Sequence, residues 1–129
     1  MKSNPELRKS PFVVVSQIDP EFDGRRPSPD DEEDYYRRQF DRIENGEMTW
    51  MYSSLTSEGG YTAELIKGDS VIGGVLLEWE TPEQVDVWLY TPNKDGVLWQ
   101  TAYEVRPSLQ DAVSRVEDHA KALDCEQPY

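Results

Sequence analysis

The chain has 129 residues, a length that suits one domain with one core. Asp and Glu number 26 against 13 Lys and Arg, a formal charge of −13. Such a surface repels phosphate, which argues against direct contact with nucleic acid or an anionic membrane unless a metal intervenes.

The apolar fraction is low at 36 %, but four Trp, seven Tyr and three Phe point to a folded domain, because aromatics are what disordered chains lack. A single cysteine, Cys125, cannot form an intramolecular disulfide. No apolar run is long enough for a signal-peptide core or a membrane span, so a cytoplasmic protein is expected.

In chain order, residues 1–10 read as a flexible tail. Pro11 to Gln17, with three consecutive Val, reads as a short strand. A proline-rich loop over residues 18–29 leads to a helix that Ser28 caps, with Pro29 at its first position and Asp31 as the capping-box acid. Asp30, Asp31, Glu32, Glu33 and Asp34 load its first turns, and Arg37, Arg38 and Arg42 its later ones, as the helix dipole favours. Glu33–Arg37 and Asp34–Arg38 are spaced as i,i+4 pairs. Tyr36, Phe40 and Ile43 form its apolar stripe, and Asn45-Gly46 ends it with Gly46 left-handed.

From Met48 the texture is β. Met48–Leu55 is followed by a turn at Ser57–Gly60. Tyr61–Lys67 and Ser70–Glu80 flank a tight turn at Gly68-Asp69, and Gly73-Gly74 signals a bulge. Val85–Thr91 and Val97–Val105 flank a loop ending in Gly96. Period two places Val85, Val87, Leu89, Val97, Trp99, Thr101, Tyr103 and Val105 on one face as core, with Trp88, Tyr90 and Leu98 opposite.

A closing helix is capped by Ser108 with Asp111 completing a second capping box. Its apolar face is Leu109, Ala112, Val113, Val116, Ala120 and Leu123. Residues 124–129 read as a flexible tail. The whole is a single α+β domain over residues 11–123: an antiparallel meander of five to six strands, with an N-proximal and a C-terminal helix packed on the sheet.

One ion-site template is present. Asp19, Glu21 and Asp23, then Gly24 and Asp30, match the 1, 3, 5, 6, 12 spacing of a calcium loop. Glu21 is long for its position, Asp30 replaces a bidentate Glu, and Arg25 and Arg26 interrupt the acids. An acidic loop before a capped helix explains the same residues.

His119, the sole histidine, has no partner for a zinc site, and six residues separate it from Cys125, on nearly opposite sides of a helix. No nucleophile elbow, phosphate loop or dinucleotide fingerprint occurs, so no catalytic residue is nominated and an enzyme is not expected.

Two surfaces stand out for binding. The acids Asp30 to Asp34 can imitate a phosphate row, and Trp88 and Tyr90, with Trp50 and Tyr52 if their strands lie adjacent, resemble interface anchors. Helix capping and core packing are the plainer explanations of the two sets. The expectation is a small acidic inhibitor or antidote that blocks a basic protein partner, such as one that binds nucleic acid. Antitoxins, immunity proteins and phage counter-defence proteins share this physical profile as a class. The alternatives are a salt-adapted cytosolic protein of unrelated function and a calcium-dependent interaction module.

Overall fold

The β-rich stretch folds as the meander its turns imply. The structure, a computed structural model, describes residues 14–126 except 26, 29, 53–59, 79, 82 and 93. Its elements are α1 (Glu32–Glu44), β1 (Thr49–Tyr52), β2 (Gly60–Lys67), β3 (Ser70–Glu78), β4 (Val85–Pro92), β5 (Leu98–Arg106) and α2 (Leu109–Glu126). The strands form one antiparallel sheet in the order β1-β2-β3-β4-β5. α2 lies across β3 and β4 and reaches β5, while α1 rests against β1.

The punctuation of the sequence is visible in the backbone. Gly46, Gly68 and Gly96 all take positive φ at the ends they were expected to mark. Beside Gly73-Gly74 the β2–β3 register jumps from Leu65↔Gly73 to Ile66↔Val71, so Ile72 is the extra residue of a bulge. A Cβ on Gly73 would lie 2.8 Å from the Trp88 carbonyl oxygen and 3.1 Å from Val116 Cγ1. Glycine there lets α2 settle directly on the sheet.

The core is one cluster between the sheet and the helices. Trp50, Tyr52, Ala63, Leu65, Val75, Leu77, Val85, Val87 and Leu89 meet Leu109, Ala112, Val113, Val116 and Ala120 of α2, all buried. The predicted stripe of α2 is therefore its packed face, and Ser108 Oγ accepts the Asp111 amide at 3.1 Å as a cap, a contact typically worth about 1 kcal/mol. Asp111 turns its carboxylate to Arg106 rather than back to the cap.

Phe22 from the preceding loop stacks on Trp50 at 4.9 Å and contacts Tyr52 at 5.6 Å. Tyr35 of α1 closes this aromatic cluster from the other side, 5.6 Å from Tyr52.

Several expectations are corrected. The described part of the first expected strand, from Val14 onward, lies outside the sheet. Val14 is buried, and its amide bonds the Asp23 carbonyl at 2.8 Å. The expected tail and strand start over residues 1–13, Pro29, the end of the Met48–Leu55 strand from residue 53, the Ser57–Gly60 turn before Gly60, the Leu98 and Cys125 side chains and residues 127–129 fall outside the described residues. α2 itself continues to Glu126, past the expected tail boundary.

α1 begins at Glu32, with Asp31 as a cap that makes no side-chain capping bond, because Ser28 Oγ donates to the Asp31 carboxylate instead. Asp30 and Asp31 thus precede the first turn. Arg37 pairs with Asp34 rather than Glu33, while Asp34–Arg38 forms as spaced.

The buried residues of α1 are Tyr35 and Gln39; Phe40 is 55 % exposed. The stripe is therefore shifted by one residue. The Tyr35 hydroxyl donates to the Trp50 carbonyl at 3.2 Å, and the Gln39 amide to Glu21 at 3.1 Å. Hydrogen bonds to the adjacent strand and loop, which hydrophobicity does not register, select the face.

The last hairpin is corrected in the same way. Val87 lies opposite Glu104 and Leu89 opposite Ala102, while Asp86 meets Val105 and Trp88 meets Tyr103. The valines and leucine of β4 are core, but Val97, Trp99, Tyr103 and Val105 are all more than half exposed. Glu104 takes the helix side because Arg115 of α2 holds it through two nitrogens at 3.0–3.2 Å.

Candidate interaction surface

Two acids are buried on the helix side, and each serves the fold. Asp19, 1 % exposed, accepts Arg42 Nη1 at 2.6 Å and the amides of Glu21 at 3.0 Å and Trp50 at 3.2 Å. Burial raises its carboxyl above the ordinary value while Arg42 pulls it back. One side chain thereby ties the N-proximal loop to α1 and β1.

Glu117, 4 % exposed, accepts the Trp50 indole N–H at 2.8 Å, the Gln17 amide at 3.2 Å and the Ser16 hydroxyl. Ser16 Oγ in turn accepts the amides of Ile18 and Asp19 at 3.1 and 2.9 Å. The loop is thus fastened to α2 as well.

These contacts redirect the calcium-loop candidates. Asp19 faces Arg42, and Glu21 faces Gln39, Arg38 and Arg42. Asp23 Oδ1 accepts the Arg25 amide at 2.9 Å and the Tyr52 hydroxyl at 3.4 Å, and Asp30 is exposed. Among the described residues no three acids, histidines or cysteines are grouped as ligands for a metal.

Beside the acidic helix start is a cleft of about 260 Å³ lined by Glu21, Asp23, Arg25, Pro27, Asp31, Tyr35, Arg38 and Tyr52. It brings Asp31 to two of the loop acids. Two arginines share the wall, so its charge is mixed. Asp30, Glu33 and Asp34 are exposed and Glu32 half-buried around this end of α1.

Trp88 and Tyr90 lie elsewhere. They alternate with buried Val87 and Leu89, so they belong to the side of the sheet opposite both helices. The two expected binding patches are therefore on different sides of the molecule. Trp50 and Tyr52 do not join Trp88: β1 is separated from β4 by two strands, and both aromatics are in the core.

The far side of the sheet has its own composition. By register and alternation it presents Met51, Thr62, Glu64, Leu76, Glu78, Asp86, Trp88, Tyr103 and Val105. The indole of Trp88 covers Gly74, where a Cβ would stand 2.6 Å from Cζ2, so only glycine leaves room for the ring to lie down. Tyr103 hydrogen-bonds Asp86, which raises its hydroxyl pKa.

Glu64 is half-buried, burial alone raises its carboxyl, and it has no ion-pair partner among the described residues. Within the described strands the charged residues alternating onto this face are Glu64, Glu78 and Asp86, all acids.

Sequence reasoning named Trp88 but missed Glu64, Gly74, Tyr103 and Val105 as members of this face. The alternation Thr62, Ala63, Glu64, Leu65 carries the signal for Glu64. Tyr103 and Val105 depend on the register of β5, which alternation does not set. None of the protein-family models, curated proteins or solved structures matches the chain. No described helix is long and apolar enough to cross a membrane.

Proposed function

We propose that this protein is a small acidic binding protein, an inhibitor or antidote that occupies a basic partner and blocks it. The observation that supports the reading is the location of the charge. The two buried acids are satisfied inside the fold, Asp19 by Arg42 and backbone amides and Glu117 by Trp50, Ser16 and Gln17. Among the described residues, the other acids behind a formal charge of −13 are half-buried or exposed. An excess of this size exceeds what capping two helices requires, speeds encounter with a cationic surface and repels anionic competitors.

The test is affinity capture from a lysate at low and high salt, with competition by a polyanion. A single basic protein retained at low salt and displaced by the polyanion supports inhibition of that protein. Retention of nothing basic at low salt removes the reading and leaves acidity as an adaptation to salt.

A further inference from the structure

A sheet is ordinarily covered on a face that carries large apolar side chains, because water gains nothing from touching them. Here both helices pack on one face. The other keeps Leu76, Trp88, Tyr103 and Val105 at least partly open to solvent. We propose that this uncovered face docks an amphipathic helix of a basic partner, whose lysine or arginine lies over the Trp88 indole and pairs with Glu64. The proposal rests on the basic-partner reading above and names the surface and the recognition element.

The occupant follows from the chemistry of the face. A helix satisfies its own backbone groups, so it can lie on a sheet face, whereas an added strand needs an edge. Among the described strand residues the charges of the face are Glu64, Glu78 and Asp86, so it disfavours an acidic or neutral partner and a second copy of this acidic chain.

Glu64 and Trp88 flank Gly74 in one cross-strand row, Glu64↔Gly74↔Trp88. The ring laid over Gly74 offers its π face, the surface that attracts a guanidinium or ammonium group. The Glu64 carboxylate, without an ion-pair partner among the described residues, supplies the counter-charge. Glu64 and Asp86 are two strands apart and offset by two residues, a diagonal of about 12 Å. That is close to two helical turns, about 11 Å, so cations seven residues apart on a helix match both acids with Leu76 between them.

The probe is a designed peptide helix with a leucine stripe and two arginines seven residues apart. It is measured against the full chain by calorimetry at physiological ionic strength, with the Trp88 indole resonance followed by NMR. Micromolar binding with a shifted Trp88 signal is expected. Glu64→Gln and Trp88→Ala should each weaken it about tenfold or more. Replacing Asp30, Glu32 and Glu33 together by their amides should leave affinity within about threefold.

Glu64→Gln relieves a burial penalty, so its thermal midpoint should not fall, which separates lost docking from lost folding. No binding, or loss through the helix-start amides but not through Glu64→Gln, overturns the proposal. In the second case the basic-partner reading survives on the other surface. A dimer in sedimentation that Trp88→Ala dissolves would assign the face to a second copy instead.

Discussion

Replacing Glu117 by Gln tests the internal network at its least replaceable point. The carboxylate accepts three donors, and none can reverse. The Trp50 indole and the Gln17 amide only donate, while Ser16 Oγ already accepts two backbone amides and must give its proton to Glu117. Gln keeps the shape but turns one acceptor into an NH2 group, so at least one donor of this largely buried cluster faces another donor.

Leaving a buried donor unsatisfied costs about 1–3 kcal/mol, and the remaining bonds lose their charge assistance at about 1 kcal/mol. Removing the charge also removes its desolvation cost, which acts in the opposite direction. With three fixed donors the loss of acceptors wins, and a net destabilisation of about 3 kcal/mol is expected. At about 2.1 cal/mol/K per residue, the unfolding entropy converts each kcal/mol into about 4 °C, so the midpoint should fall by about 11 °C. Circular dichroism melts of the parent and E117Q at neutral pH measure it. An unchanged or raised midpoint would show that desolvation outweighs the donors and that Glu117 does not fasten the loop.

Arg42→Met leaves Asp19 buried without its cation and should cost about 3 kcal/mol at neutral pH. The Asp19 carboxyl, already raised, then rises further, so the deficit should shrink as pH falls through that raised value and the group protonates, read by urea titration across pH. Glu64 has a folded pKa above its ordinary 4.5, so its stabilising contribution exists below that value and is lost as pH rises through the folded one. The midpoint of Glu64→Gln should therefore equal the parent's near about pH 4 and exceed it at about pH 7, checked by paired melts. Gly73→Ala forces a Cβ against the Trp88 carbonyl and Val116 and should cost about 1–3 kcal/mol by overpacking, with a lower urea midpoint as the readout. Sodium chloride should raise the parent's midpoint by screening its self-repulsion, and a flat response to molar salt would contradict that account.

Local chemistry made most of the fold legible. Turn glycines, the Ser108 cap and the α2 stripe are dictated within a few residues of themselves, and the structure bears them out. What alternation and periodicity leave open is which of two faces is buried, and there long-range partners decide. In α1, Tyr35 is buried against Trp50 and Tyr52, while Tyr36, whose hydroxyl donates to the Tyr52 carbonyl, is only half-buried. In β5, Glu104 points to the helices because Arg115 is there to receive it, which turns Tyr103 and Val105 outward. The calcium template fails to foresee Arg42, which is distant in sequence and adjacent to Asp19 in space. The residues of the open sheet face were legible as types, Trp88 among them, but their grouping waited on the register of the sheet.

The same partners explain why the two acidic regions differ in kind. On the helix-bearing side, cations accompany several of the acids: Arg38 and Arg42 meet Glu21 and Asp19, and Arg106 and Arg115 meet Asp111 and Glu104. An acid with an arginine at hand has little left to offer a visitor, and the pairs among these that are exposed contribute little to stability, unlike the buried Asp19–Arg42 pair. On the far face the strands carry Glu64, Glu78 and Asp86 with no arginine or lysine alternating beside them among the described residues. The helix dipole accounts for Glu32, Glu33 and Asp34, which lie in α1's first turn, but it has no bearing on a carboxylate in the middle of β2. Of the two surfaces, the one whose charge local structure leaves unexplained is the open sheet face. There Glu64, rather than the longer acidic run, is the residue whose placement the proposed docking would explain.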